Sequence, residues 1–150
     1  MNFKTDILPH LPYDEPFLFV DDILEVKEAC IKGEYTFPKE SYFYKGHFKD
    51  QPVTPGVLLT ECAAQIALAC YGIFKFKNQN LKANIAMTST QMEFINLSYP
   101  DEKLVVEGKE IYFRFQKLKM AVKIFKADKT LVAQGELAGM IIPSKSKSYE

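Results

Sequence analysis

Two hydrophobic rhythms run along the chain. Residues 16–26 (PFLFVDDILEV) and 29–37 (ACIKGEYTF) carry β-branched and aromatic side chains in partial alternation, the two-residue period of a strand with one buried face. A short charged turn at Lys27 and Glu28 separates them. Four later segments, 83–95, 103–116, 118–127 and 129–142, have the same character and are parted by NLSYPDE, a tight basic turn and ADKT. Between the two groups the rhythm changes. Residues 38–52 (PKESYFYKGHFKDQP) hold too much proline, glycine and charge for regular structure, and they predict a loop with one short helical turn near Ser41.

From Thr54 the helix-start signals coincide. Thr54 can serve as N-cap, Pro55 suits the first helical position because it has no amide hydrogen, and GVLLTECAAQIALACYGIFKF follows without a breaker until Gly72. That is about five to six turns at 3.6 residues per turn. Leu58, Leu59, Ala63, Ala64, Ile66, Ala67, Leu68 and Ala69 surround this helix instead of forming one stripe, so it must be buried on most sides. The strands supply the cover. The expected fold is α+β: an antiparallel sheet curled around one long central helix. The 150 residues read as a single domain without internal repeat or linker, ending in a polar, frayed PSKSKSYE tail.

Charge and cysteine usage narrow the function classes. Lysines plus arginines balance aspartates plus glutamates at 19 each, so no global field holds the chain on nucleic acid or an anionic membrane. The first residues, MNFKTDILPHLPYDEPF, have acids and prolines where a signal peptide needs an apolar core. No apolar run elsewhere is expected to approach the ~18 residues of a spanning helix, which points to the cytoplasm. Cys30, Cys62 and Cys70 are odd in number and lack metal-ligand spacing, so neither a metal site nor a disulfide framework is expected. Cys62 and Cys70 fall in the apolar helix and read as small buried thiols.

Candidate chemistry gathers around the helix start. The first amides of a helix point outward without partners, and the aligned peptide dipoles add positive potential there. With Pro55 donating nothing, the amides of Gly56 and Val57 are the nearest free donors, and Gly56 has no side chain to block an approaching oxygen. Pro-Gly equally serves as a simple helix start. Glu61 lies among apolar residues with Gln65 four positions on, on the same face, where an amide can hold a carboxyl group. Burial would raise its pKa, as a proton donor near neutrality requires; a subunit contact would also explain it. His47, flanked by Gly46 and Phe48, brings an imidazole that titrates near neutrality, although a lone histidine also fits a structural role.

Together these residues form a longer pattern. GHF followed by P-x-x-PGVL-x-x-E-x-x-x-Q resembles the signature of the β-hydroxyacyl-acyl carrier protein dehydratases of the FabZ/FabA type, with matching spacing from His47 to Gly56 and Glu61. ILPH at 7–10, PFLFVDDILEV at 16–26 and MEFINLSYPDEKL at 92–104 resemble further segments of that family. The chain departs from it at Lys49 and at Thr54, where the family usually has proline and an apolar residue, and in extra residues within HLPYDEPF.

The resemblance implies a hotdog fold and dehydration of a (3R)-3-hydroxyacyl-carrier-protein thioester to the trans-2-enoyl thioester, in fatty-acid or related polyketide or aryl-polyene-like synthesis. It implies no metal or organic cofactor. It further implies a homodimer, or a higher assembly such as a trimer of dimers, in which His of one subunit meets Glu of the other. On this sequence His47 would take the C2 proton, Glu61 would protonate the leaving 3-hydroxyl, Gly56 and Val57 would bind the thioester oxygen, and Gln65 would orient Glu61. Lys45 and Lys49, on the loop beside the site, could dock an acidic acyl carrier protein or be solvated. A hotdog thioesterase and a non-catalytic acyl-binding subunit are the competing readings. His10 reads as structural or surface; Tyr112, Phe113 and Phe115 read as sheet core or channel lining.

Overall fold

The computed structural model describes residues 2–76 and 83–143. A short helix α1 (Phe3–Asp6) and a 3-10 turn (Leu8–His10) lead to β1 (Asp22–Lys27) and β2 (Cys30–Thr36). The long helix α2 (Gly56–Lys75) follows, then β3 (Ala83–Phe94), β4 (Lys103–Arg114), β5 (Lys117–Lys126) and β6 (Leu131–Pro143). The six strands form one sheet in the order β1-β2-β4-β5-β6-β3, and every pair is antiparallel. Helix α2 lies against β2 to β6, the arrangement expected from the two rhythms. The PSKSKSYE tail lies, beyond Pro143, outside the described residues.

Period-two alternation drives the sheet onto the helix. In β2 every second residue is buried, and β4 and β5 direct Leu104, Val106, Leu118, Met120, Val122 and Ile124 inward. Each large apolar side chain removed from water contributes about 1.5–3 kcal/mol. On the helix every residue from Cys62 to Gly72 is buried, which is why no single apolar stripe can be read there. Gly108 lets β4 approach closely: a Cβ on it would lie 3.0 Å from the Ala67 methyl.

Three expectations need correction. Gly56–Lys75 is long and apolar enough by length and composition to cross a membrane, contrary to the sequence reading, but 72% of its most apolar window is buried within the fold. Nor is the helix uniform, because Gln65–Cys70 is π-helical between α-helical Gly56–Ala64 and Tyr71–Lys75. Finally, β1 begins at Asp22, so residues 16–21 are not strand. Gln65 explains this: its Oε1 accepts the Phe19 amide at 2.7 Å and its Nε2 donates to the Phe17 carbonyl at 3.1 Å. A helix side chain thereby satisfies backbone groups that a neighbouring strand would otherwise pair.

Candidate active site

The loop before α2 folds back on itself. A 3-10 turn, Tyr42–Lys45, ends where the amides of Gly46 and His47 both reach the Phe43 carbonyl, at 3.1 and 3.0 Å. Phe48 and Gln51 exchange backbone hydrogen bonds of 2.8 and 3.2 Å, which closes the tip. The Val53 amide then donates to the His47 carbonyl at 2.8 Å. In return His47 Nδ1 lies 2.8 Å from the Val53 carbonyl. A carbonyl oxygen only accepts, so Nδ1 carries a hydrogen, and in the neutral ring Nε2 keeps the lone pair. The half-buried imidazole stacks on the exposed Phe48 ring, with centroids 4.2 Å apart.

Helix α2 starts one residue later than its sequence signals suggest. Pro55, with ψ of 136°, occupies the N-cap position, and Gly56 is the first helical residue. Thr54 is not the cap because its hydroxyl is taken by Tyr44, 2.6 Å away, and its amide donates to the Ser98 carbonyl at 2.8 Å. The amides of Leu58 and Leu59 share the Pro55 carbonyl, at 3.0 and 3.1 Å. Among the described residues no acceptor meets the amides of Gly56 and Val57, so two donors and the positive end of the helix dipole are open. The Phe94 ring packs against Gly56, where a Cβ would sit 3.1 Å from it. Val57 is highly exposed.

Glu61 lies on the next turn, half-buried. Gln65 Nε2 donates to its Oε2 at 3.1 Å, the same amide nitrogen that holds the Phe17 carbonyl. Burial pushes the Glu61 carboxyl above its ordinary value, and the Gln65 bond offsets only part of that rise. Tyr13 is a neighbour that the sequence reading missed. Burial first and the Glu61 charge second raise its phenol to about 12, so it stays neutral beside the carboxyl group. Its one sequence signal is the extra length of the HLPYDEPF segment that carries it.

Within one chain, no hydrogen bond or ion pair joins His47 to Glu61 among the described residues. Lys45 and Lys49 are exposed on the loop, and His10 is exposed at the end of its 3-10 turn. Cys62 and Cys70 are fully buried, and burial pushes both thiols far up, which removes thiolate chemistry. Phe113 packs partly on the core, whereas Phe115 is 90% exposed at the β4–β5 turn, outside the core. Its φ of 52° and that of Gln116, 65°, show a tight two-residue hairpin turn that turns the side chain outward.

A FabA-like domain matches residues 11–139. The chain is 34% identical over 145 residues to the 3-hydroxyacyl-[acyl-carrier-protein] dehydratase FabZ of Methylobacterium radiotolerans, covering 91% of this chain and 87% of that one. It is 32% identical over 143 residues to FabZ of Syntrophobacter fumaroxidans, covering 94% and 95%. Among solved structures, the dehydratase heterocomplex ApeI:P of Xenorhabdus doucetiae superposes with a TM-score of 0.75 at 13% identity, over 91% of this chain and 90% of that one. A hypothetical thioesterase of Streptococcus pneumoniae, solved with coenzyme A, gives 0.59 at 12% identity, over 83% and 88%. The architecture shared with these structures is the hotdog fold.

Proposed function

Because this chain belongs to the FabA-like domain family, we propose that it is the 3-hydroxyacyl-carrier-protein dehydratase of a fatty-acid-synthesis type and that His47 and Glu61 carry the reaction. The observation that supports these roles is the opposite preparation of the two side chains. His47 has Nδ1 engaged by the Val53 carbonyl, which leaves the lone pair of the neutral ring on Nε2, whereas Glu61 is pushed by burial toward the protonated form.

Water loss from a 3-hydroxyacyl thioester needs both. The C2 hydrogen is weakly acidic until negative charge on the thioester oxygen is stabilised, which the open amides of Gly56 and Val57 at the helix start can do. His47 Nε2 takes that hydrogen as a proton. The C2–H electron pair becomes the C2–C3 double bond, the C3–O bond breaks, and the oxygen leaves as water with the proton from Glu61. Gln65 holds Glu61 in place, and Tyr13 stays a neutral phenol close enough to feel its charge.

The same reading requires two chains at each site. Among the described residues β3 is an edge strand, paired only with β6; Phe94 at its end packs against Gly56, and Phe94, Ile95 and Leu97 are exposed. A second copy seated on that edge would cover these side chains and bring its Glu61 to this chain's His47. Lys45 and Lys49 on the loop rim suit an acidic acyl carrier protein delivering the thioester. Three free cysteines fit a reducing, cytoplasmic setting.

A subunit-mixing experiment tests this. His47→Ala and Glu61→Gln proteins, each inactive on a 3-hydroxyacyl carrier protein, are exchanged into mixed dimers and followed by enoyl absorbance, free thiol and mass. Each mixed dimer then has one intact His47/Glu61 pair and one doubly damaged pair, so each mixed dimer recovers about half the activity of a wild-type dimer by symmetry. Silence after proven exchange overturns the two-chain site; release of free thiol in place of an enoyl product identifies a thioesterase instead.

A further inference from the structure

One polar contact near the site has no counterpart in the chemistry above. Tyr44 and Thr54 are 5% and 3% exposed, and their hydroxyls lie 2.6 Å apart. Tyr44 belongs to the 3-10 turn three positions before His47, and Thr54 stands two positions before Gly56. The bond therefore joins the two ends of the segment that carries the base, at the point where that segment enters the helix.

The peptide between Val53 and Thr54 shows what this contact controls. Its carbonyl accepts from His47 Nδ1 at 2.8 Å, and its amide donates to the Ser98 carbonyl at 2.8 Å. Both groups belong to one rigid plane, so tilting that plane turns the imidazole with it. Main-chain bonds fix the plane from the Ser98 side. The Thr54 side chain, tied to Tyr44, fixes the Cα that follows it and hence the direction in which the chain enters Pro55 and Gly56. A pair of apolar groups of the same shape would fill this space equally well, and in the family that the sequence resembles the residue before Pro-Gly is usually apolar. A short hydrogen bond adds direction, which packing alone lacks.

We infer that the Tyr44–Thr54 hydroxyl pair is a positioning element of the reaction, holding the His47 imidazole at a set distance and angle from the amides of Gly56 and Val57. Neither hydroxyl touches the substrate. The inference rests on the proposed roles of His47 and the helix amides, and it adds the residues that keep the two in register.

Stability and turnover separate this role from a merely structural one. Removing one hydroxyl leaves its partner buried without a bond, so Tyr44→Phe and Thr54→Val each lower the melting temperature. The double variant has no stranded hydroxyl and regains that loss. Turnover behaves differently: both singles and the double lose about 10- to 100-fold in kcat on a 3-hydroxyacyl carrier protein, with KM within about twofold of wild type. Thr54→Ser, which keeps the hydroxyl, recovers most of what Thr54→Val loses. A double variant with wild-type kcat, or kcat values that follow melting temperature across the set, overturns the inference. If Tyr44→Phe fails to fold, the pair Thr54→Val and Thr54→Ser decides, and equal kcat overturns it. His47→Ala is assayed alongside: if it stays active the functional reading itself falls, and if it is inactive while the double variant is fully active only the brace falls.

Discussion

The two ends of α2 are finished in opposite ways. At the C-terminal end, buried Tyr71 donates to Glu110 at 2.7 Å and accepts the Ala29 amide at 3.0 Å. Lys75 reaches Glu110 at 2.9 Å and Glu28 at 3.4 Å, and lies over the rings of Tyr71 and Phe113. Tyr71, Lys75 and Glu110 are all partnered there. At the N-terminal end the amides of Gly56 and Val57 have none among the described residues, and Glu61 is held through one oxygen only. Unsatisfied groups cost free energy, so a fold tolerates them where a ligand completes them. The closed end anchors the helix to the β1–β2 turn and to β4; the open end is where the proposed chemistry would take place.

Exchanging a single atom at each end tests that division most severely. Glu61→Gln removes a proton at nearly constant shape and should lower turnover by about 10²–10⁴-fold while leaving the melting temperature close to wild type. Tyr71→Phe should do the reverse. It strips one bond from Glu110 and one from Ala29, at a cost of about 1–3 kcal/mol, and should lower the melting temperature while turnover well below the transition is unchanged. A Tyr71→Phe enzyme that is fully folded but slow would break the comparison.

Acid titration sharpens it with smaller effects. Burial raises the Glu61 carboxyl, so its contribution to stability is fully present below the ordinary carboxylate value and is lost as pH rises through its folded value. Glu110 has the opposite sign. Burial alone would raise it, but the bonds from Lys75 and Tyr71 and the Lys75 charge outweigh burial and hold it below its ordinary value. Its contribution is present above the ordinary value and is lost as pH falls through the folded one. Denaturation midpoints of wild type minus Glu61→Gln should therefore decline with rising pH across the carboxylate range, and those of wild type minus Glu110→Gln should climb. Parallel slopes would mean that the two carboxyl groups share one environment.

Much of this contrast was legible in the sequence at one end and hidden at the other. His47, Gly56, Glu61 and Gln65 are close enough along the chain for spacing to carry meaning, and the buried helix announced itself by having no polar face. The start of β1 was misread because the partner of Phe17 and Phe19 is a glutamine side chain 48 and 46 residues away, which no local period encodes. The Thr54 cap failed for a similar reason: threonine favours that position only if its hydroxyl is free, and Tyr44 occupies it. The Tyr71–Glu110–Lys75 cluster left no trace, since its members come from a helix and a strand 35 to 39 positions apart.

The smallest expected effect concerns lysines at the two ends. Lys75 is paired and largely covered, whereas Lys45 and Lys49 are exposed. Charge reversal of Lys45 and Lys49 to glutamate should raise KM for the carrier-bound substrate and weaken its dependence on salt. Exposed charges of this kind contribute up to about 1 kcal/mol, or roughly fivefold. Turnover of a small pantetheine thioester should not change. Equal damage to both substrates would show that these lysines shape the loop itself.

The shared nitrogen of Gln65 gives the Glu61 proton an address elsewhere in the molecule. Gln65 Oε1 binds the Phe19 amide hydrogen, and the nitrogen of the same planar group binds both Glu61 and the Phe17 carbonyl. Protonation of Glu61 weakens its pull on that nitrogen and so changes the polarisation of the whole amide, including the oxygen that faces Phe19. The Phe19 backbone amide thus becomes a native spectroscopic reporter. Its nitrogen and proton resonances should follow the charge of Glu61 through a titration, with no label placed in the site and no substrate present, and should fall silent in Glu61→Gln.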